Sequence, residues 1–218
     1  MSEEALFREV DEEVRQDQLK KLWDRYGVAM IGLCFAVVVG VAGYKGWQAW
    51  ELRKAETAAQ SYFAMAKLAG QGKVDEALKL IPTIDQAGFA KLARLREAGL
   101  FLSQGKTEEA VKAFDAIAAD TSMDAALRDL ARIRAAYALS DTAKPTDLAA
   151  RIGSFDAAGN PWRHAAREIE ALAAWRAGDY AGAGKLVKAI LADLETPEGL
   201  RQRAAALSDL LLPLLPRS

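Results

Sequence analysis

The chain has 218 residues and a formal net charge of −1, from 29 basic and 30 acidic side chains. This balance leaves no excess of basic residues of the kind that binds nucleic acid, so we predict no nucleic-acid partner. The single histidine and the single cysteine exclude an internal disulfide and any zinc site that needs two histidines. We therefore predict no metal and no cofactor.

Residues 1–25 form a charged head. Acidic residues crowd its start and basic residues its end, an order that suits the dipole of a helix. The apolar spacing predicts an amphipathic helix that faces anionic membrane lipid with its last basic residues. A solvated charged segment is the alternative. The apolar residues are Leu6, Val10, Val14, Leu19, Leu22, Trp23 and Tyr26.

Residues 26–44 are an uncharged, mostly apolar run, YGVAMIGLCFAVVVGVAGY. As a helix this run spans about 28 Å, close to the thickness of the hydrocarbon core of a bilayer. Aromatic residues flank both of its ends, where a membrane meets water. We therefore predict a transmembrane helix over residues 26–47. A cleaved signal peptide with a small-residue cleavage site at residues 40–42 is the alternative, but the acidic head is unlike the short basic segment that opens a signal peptide.

The basic residues around the run predict its orientation. Five precede the run, and three follow it closely. Since the side with more basic residues usually stays inside, the head is expected in the cytoplasm and residues 48–218 across the membrane. In a Gram-negative bacterium this is a single-pass inner-membrane protein with a periplasmic body. Cys34 lies in the run, so the body can form no disulfide in either compartment.

Small residues recur along one face of the predicted membrane helix, with spacings of three, four, four and three residues. Small side chains let a second helix approach closely in lipid, so this stripe predicts a helix–helix docking face. Chance is the alternative, because glycine and alanine are common in such spans. The small-residue stripe consists of Ala29, Gly32, Ala36, Gly40 and Gly43.

The body is rich in helix-forming residues, has few β-branched residues and lacks the alternation of strands, which predicts an all-α domain. Three segments within it share one pattern, in which a glycine is followed five residues later by alanine and four residues after that by a larger apolar residue. The glycine would end one helix in a left-handed conformation, and the alanine would lie where two helices press together. The triplets are Gly72, Ala77, Ile81; Gly105, Ala110, Phe114; and Gly178, Ala183, Val187.

The first two turn glycines are 33 residues apart, close to the 34 of a tetratricopeptide repeat. The next gap of 73 residues leaves room for a degenerate unit over residues 124–152, with residues 142–145 in place of the glycine turn. Thr107, Asn160 and Thr196 are predicted helix caps. The paired helices are expected at 51–70 with 73–82, 88–104 with 107–119, 124–140 with 146–153 and 161–177 with 179–194, and a capping helix at 197–212.

The head FREVDEEVRQDQLKKLWDRYG, the single span, the exit GYKGWQAW and the degenerate tetratricopeptide body resemble the YfgM-like ancillary subunits of the bacterial Sec translocon. The resemblance covers essentially the whole chain and rests on layout. It implies association with the SecYEG channel and with periplasmic chaperones, including a membrane-anchored prolyl isomerase, and it implies no catalytic residues. The helical body is also similar to a domain of a cell-division coordinator. The longer acidic head and the degenerate third unit depart from the family.

Residues that could carry chemistry are few. His164 follows a tryptophan and an arginine at a helix start and is expected on the surface. The acidic pairs Glu108 with Glu109 and Glu168 with Glu170 are expected on solvated helix faces. No phosphate-binding glycine loop and no nucleophile motif occur in the sequence. An envelope hydrolase is therefore disfavoured.

Aromatic and leucine-rich segments predict packing. Tyr62, Phe63, Phe101 and Phe114 are expected in the core. Further aromatic residues in the second half should fill the space between helices, with one or two lining a concave groove for an extended peptide. In the terminal segment LSDLLLPLLP, the residues Leu214 and Leu215 are expected to fold back, either onto the outside of the last helix or into the partner groove.

These features predict a membrane-anchored adaptor rather than an enzyme. The span would contact the translocon, and the helical body would hold periplasmic chaperones or unfolded client chains. A scaffold for envelope assembly or cell division, without contact to the translocon, is the alternative.

Overall fold

The computed structural model describes residues 3–215, with side-chain environments from residue 20 onward. Its described part is helical and contains no strand, as the composition predicted. The helices are α1 (Glu3–Gly70), α2 (Val74–Leu80), α3 (Ala87–Ser103), α4 (Thr107–Ala119), α5 (Ala125–Leu139), α6 (Pro145–Ile152), α7 (Arg163–Arg176), α8 (Tyr180–Ala192) and α9 (Glu198–Leu211). The chain divides into two compact units, Met1–Thr57 and Ala58–Ser218.

The first unit contains the apolar run. Between Lys20 and Gly70, α1 is long and apolar enough, by length and composition, to cross a membrane. Only 6% of its most apolar window is buried within the protein, whereas the core helix of a soluble protein is mostly buried. Of the apolar residues in the amphipathic pattern predicted for the head, those up to Leu19 lie outside the described side chains. The remaining three, Leu22, Trp23 and Tyr26, are exposed within the described part of the chain.

The second unit is a series of helix hairpins. The last part of α1 pairs with α2, α3 with α4, α5 with α6, and α7 with α8, while α9 covers α8 at the end of the series. These are the pairs that the repeat pattern predicted, and the bounds differ by only a few residues. Each hairpin also packs on the next, because α4 contacts α5 and α6 contacts α7.

Three of the hairpin turns are built alike. Gly72, Gly105 and Gly178 have φ angles of 77°, 74° and 82°, the left-handed conformation that only glycine adopts without strain. In each turn the next residue donates its backbone N–H to the carbonyl five residues earlier, as in Lys106 N to Phe101 O at 2.9 Å. This bond ends the first helix and reverses the chain. The degenerate unit instead starts α6 with Pro145 in its first turn.

Three clusters of buried residues form the core of this unit. The first joins the end of α1 with α2 and α3, the second joins α3, α4 and α5, and the third extends from α5 to α9. Ala77, Ala110 and Ala183 are completely buried, one at each glycine-turn hairpin. Phe114 and Val187 are buried beside them, and Ile81 is partly buried. Small residues at these points let the paired helices approach closely.

Several local expectations were wrong. Lys106 and Trp162, not Thr107 and Asn160, occupy the positions that precede α4 and α7, and neither uses its side chain as a cap. Thr196 points its hydroxyl to the carbonyl of Ile190 instead of capping α9. Asn160 instead accepts the backbone N–H of Trp162 in the turn before α7. Thr196 also lies 3.1 Å from His164 of α7, a contact that the local sequence does not reveal.

The aromatic residues divide between the core and the surface. Phe114 is buried, and Tyr62 and Phe101 are partly buried against core clusters. Phe63, expected in the core, is 66% exposed, because its neighbour Tyr62 takes the inward position. The centre of the Tyr62 ring lies 5.8 Å from the centre of the Phe89 ring. Trp175 is also largely at the surface.

The terminal leucines separate into two groups. Leu215 folds back onto α8, where a Cβ placed on Gly184 would lie 3.6 Å from its Cδ1. Leu214 remains 43% exposed, and Leu212 is 66% exposed. The tail therefore covers the last hairpin through Leu215.

Candidate interaction surfaces

An open groove of about 440 Å³ lies in the second unit. Its walls come from the first helices of three successive hairpins: the end of α1, α3 and α5. Phe114 of α4 also lines it. The apolar lining includes Tyr62, Leu92, Leu95 and Leu130. Arg96 and Arg134 line it from α3 and α5, and no acidic residue is among the lining residues. This groove is large enough for a segment of another polypeptide, and its surface is mixed, with apolar side chains beside the two arginines.

The small-residue stripe lies on α1 in the first unit. All five of its residues are exposed there. A Cβ added to Gly32, Gly40 or Gly43 would meet no atom within 4 Å, so no other part of the described chain occupies this face. The geometry leaves the backbone open to a neighbouring helix.

His164 is buried, with 3% of its surface exposed, and not at the surface as expected. Its Nδ1 lies 3.1 Å from the hydroxyl of Thr196, which donates its single hydrogen to Ile190 O at 2.7 Å. The histidine must therefore donate from Nδ1 to the threonine oxygen. Burial lowers the pKa of His164 below its ordinary value of 6.5, and the charge of Arg163 lowers it further. The residue joins α7 to the α8–α9 connection as a neutral ring.

Charged side chains surround this histidine. Arg163 holds Asp193 at 2.8 Å and Glu195 at 2.6 Å. Hydrogen bonds from Arg163 lower the pKa of Asp193 to about 2. Arg167 pairs with Asp156 and lies 3.7 Å from Asp193. The positive and negative groups neutralise one another, so this cluster is saturated and offers no free site for a ligand.

Glu168 was expected on a solvated face, but it is buried. It accepts a hydrogen bond from the Tyr137 hydroxyl and two from Arg203, at 2.6 and 2.8 Å. Burial raises the pKa of Tyr137, and the hydrogen bond to Glu168 raises it further. This triad ties α5, α7 and α9 together. Its carboxylate is fully engaged by these partners and is not free to act as a general base.

A repeated ion pair escaped the sequence reasoning. Asp120 and Asp193 each lie fifteen residues after a turn glycine, at the end of the second helix of a hairpin. Each accepts a backbone N–H two residues later at 3.0 Å. Arg94 and Arg167, each eleven residues before the turn glycine, reach these carboxylates at 2.6 and 3.7 Å. Aligning the repeats on their glycines reveals this spacing.

The described part of the chain therefore offers two open surfaces for binding, the groove in the second unit and the small-residue stripe on α1. Among its residues no group of three histidine, cysteine or acidic side chains is placed to hold a metal ion. The three ionisable residues that are buried, Arg163, His164 and Glu168, are engaged within the fold.

Comparison with known families agrees with the hairpin architecture. Residues 20–158 match a family model described as a tetratricopeptide repeat-like domain, which is more than half of the chain. The chain belongs to this family. The match includes the apolar run and the first three hairpins, whereas α7 to α9 continue the same architecture beyond it. No curated protein and no solved structure matches the chain. Tetratricopeptide repeat-like domains bind other proteins, and they are typically scaffolds without catalysis.

Proposed function

We propose that this protein is a membrane-anchored adaptor of the Sec translocon. Residues 26–47 cross the inner membrane, residues 1–25 lie in the cytoplasm, and residues 48–218 lie in the periplasm. The small-residue stripe docks against a helix of the SecYEG channel. The tetratricopeptide repeat-like body recruits periplasmic chaperones, such as a prolyl isomerase, or holds unfolded client chains as they emerge.

One observation carries the proposal. A single chain combines an apolar helix that is long enough to cross a membrane with a body from a family of protein-binding repeats. That combination suits a protein that holds its partners next to a membrane channel. The head, span and exit resemble those of YfgM-like translocon subunits, and this resemblance is the reason for proposing SecYEG as the channel.

Photo-crosslinking from the membrane segment tests the proposal. A photoreactive residue is placed at Gly32, Ala36 or Gly40 of the full chain in living cells. We expect capture of a channel subunit from these positions and weaker capture from Val38, on the opposite face of the helix. Reproducible capture of division proteins alone would refute the translocon assignment and favour an envelope scaffold.

Leucine substitutions test the stripe itself. Replacing Gly32, Ala36 and Gly40 by leucine keeps the segment apolar, so the variant should still insert into the membrane. The added side chains should prevent close approach and weaken co-purification with the channel. The matched control replaces Val38 and Val41 by leucine and should co-purify normally. Equal co-purification of both variants would show that the stripe is not the contact.

A further inference from the structure

We propose that the groove between α1, α3 and α5 binds polypeptide segments in which acidic residues alternate with large apolar ones. The proposal rests on the adaptor function and specifies the chemistry of the chain that the body holds. It is carried by the distribution of arginine partners in the second unit and by the lining of the groove.

Most arginines in this unit are held by the fold. Eight of the eleven between residues 58 and 215 donate to a carboxylate or a backbone carbonyl: Arg94, Arg132, Arg151, Arg163, Arg167, Arg176, Arg201 and Arg203. The three without such a partner among the described residues are Arg96, Arg128 and Arg134. All three lie on α3 and α5, the helices that form two walls of the groove.

Two of these three point into the groove. Arg96 lines it from α3 and Arg134 lines it from α5, and both side chains are exposed. Since no acidic residue lines the groove, the charges of these arginines are not compensated there. Guanidinium groups without a partner, one on each wall, favour a ligand with carboxylates on both of its sides.

The surface between the two arginines is apolar. Leu92 is 40% exposed, and Tyr62, Leu95 and Leu130 also line the groove. Ser103 is among the few neutral polar side chains in the lining. A purely acidic ligand would leave this apolar surface wet, whereas a leucine or phenylalanine side chain between two acidic residues would cover it. The charge and the apolar lining together select an acidic and apolar segment.

A binding titration with synthetic peptides tests this inference. The full chain is placed in nanodiscs of neutral phosphatidylcholine, and a fluorescein-labelled peptide, GDLFEGDLFEG, is added while anisotropy is recorded. We expect saturable binding that weakens as salt is added, because both arginines remain accessible to ions. Replacing Arg96 and Arg134 together by glutamate should weaken binding by at least about tenfold.

Charge-matched controls separate the groove from the overall charge. Lys185→Glu with Lys188→Glu makes the same charge change on exposed residues of α8 and should leave binding unchanged. The charge-reversed peptide, GKLFKGKLFKG, has lysine at each acidic position. It should bind the arginine-to-glutamate variant better than it binds the parent protein. Leu92→Ser should weaken binding of the acidic peptide, whereas Leu194→Ser, at a residue that is 93% exposed outside the groove, should not. Circular dichroism confirms that each variant remains helical.

Three outcomes would overturn the inference. The first is equal affinity of the acidic peptide for the parent and for the arginine-to-glutamate variant. The second is equal binding of the acidic and the charge-reversed peptide by the parent. The third is displacement of the bound peptide by anionic lipid vesicles that bind the parent protein but not the arginine-to-glutamate variant. That result would assign the groove to lipid. Crosslinking from the membrane segment is independent of this titration, so the groove assignment can fail while the adaptor function stands.

Discussion

At the scale of single residues, His164 makes the stability of the body depend on pH. Its pKa is lowered in the folded protein, so between that value and 6.5 the unfolded chain binds more protons than the folded one. The stabilising contribution of the neutral ring is therefore complete above 6.5 and is lost as the pH falls below it. Protonation would place a third positive charge beside Arg163 and Arg167.

We therefore expect the urea midpoint of the full chain in detergent to decrease when the pH is lowered from about 7.5 to about 5.5. His164→Gln, which keeps a donor near Thr196, should show a smaller fall. Burial raises the pKa of Glu170, so above pH 4.5 this carboxyl adds stability as the pH is lowered, opposite to His164. This contribution is the same in the parent protein and in the variant. Asp120 and Asp193, with pKa values of about 2, titrate below this range. Parallel midpoints in the two proteins would exclude His164 as the cause.

The residue scale is also where sequence reasoning failed. His164 and Glu168 look like surface residues in a charged stretch, but both are buried. Their environments come from Asp193, Thr196, Tyr137 and Arg203, which are at least 29 residues away along the chain. Contacts over such distances depend on how the hairpins stack, and no local pattern contains that information.

At the scale of elements, the glycine turns were predictable because a left-handed residue at a hairpin leaves a strong local pattern. Gly105→Ala should lower the free energy of unfolding by about 1 kcal/mol through its φ angle, since the added methyl group meets no atom within 4 Å. Gly99→Ala lies inside α3, also in open space, and should raise it by about 0.5–1 kcal/mol. Thermal unfolding of both variants measures the difference. Changes of the same sign would contradict a backbone origin.

The terminal leucines were partly predictable. The number of leucines in this segment indicates that some of them must be buried. Only the stacked structure distinguishes Leu215, which faces Gly184, from the exposed Leu212. Leu215→Ala should lower the unfolding free energy by about 1–2 kcal/mol, because it exposes the last hairpin. Leu212→Ala should change it by less than about 0.5 kcal/mol. If both variants melt alike, the tail does not act as a cap.

At the scale of the whole molecule, the proposed topology places the ends of the chain in different compartments. A reporter that is active only outside the cytoplasm should work when fused after residue 218 and fail when fused before residue 2. Alkaline phosphatase activity in intact cells provides this measurement, and a cytoplasmically active reporter at the same positions provides the reciprocal control. The opposite pattern would overturn the orientation and, with it, the periplasmic partners.

The division of the core into separate clusters has a consequence for how the body opens. The cluster that joins the end of α1 with α2 and α3 contains six buried residues, whereas the cluster from α5 to α9 contains seventeen. In a repeat array each unit is stabilised mainly by its neighbours, so partial unfolding begins where burial is least. The groove is formed in part by this weaker end. Amide exchange should therefore be faster in α2 than in α8, and a segment bound in the groove would slow it.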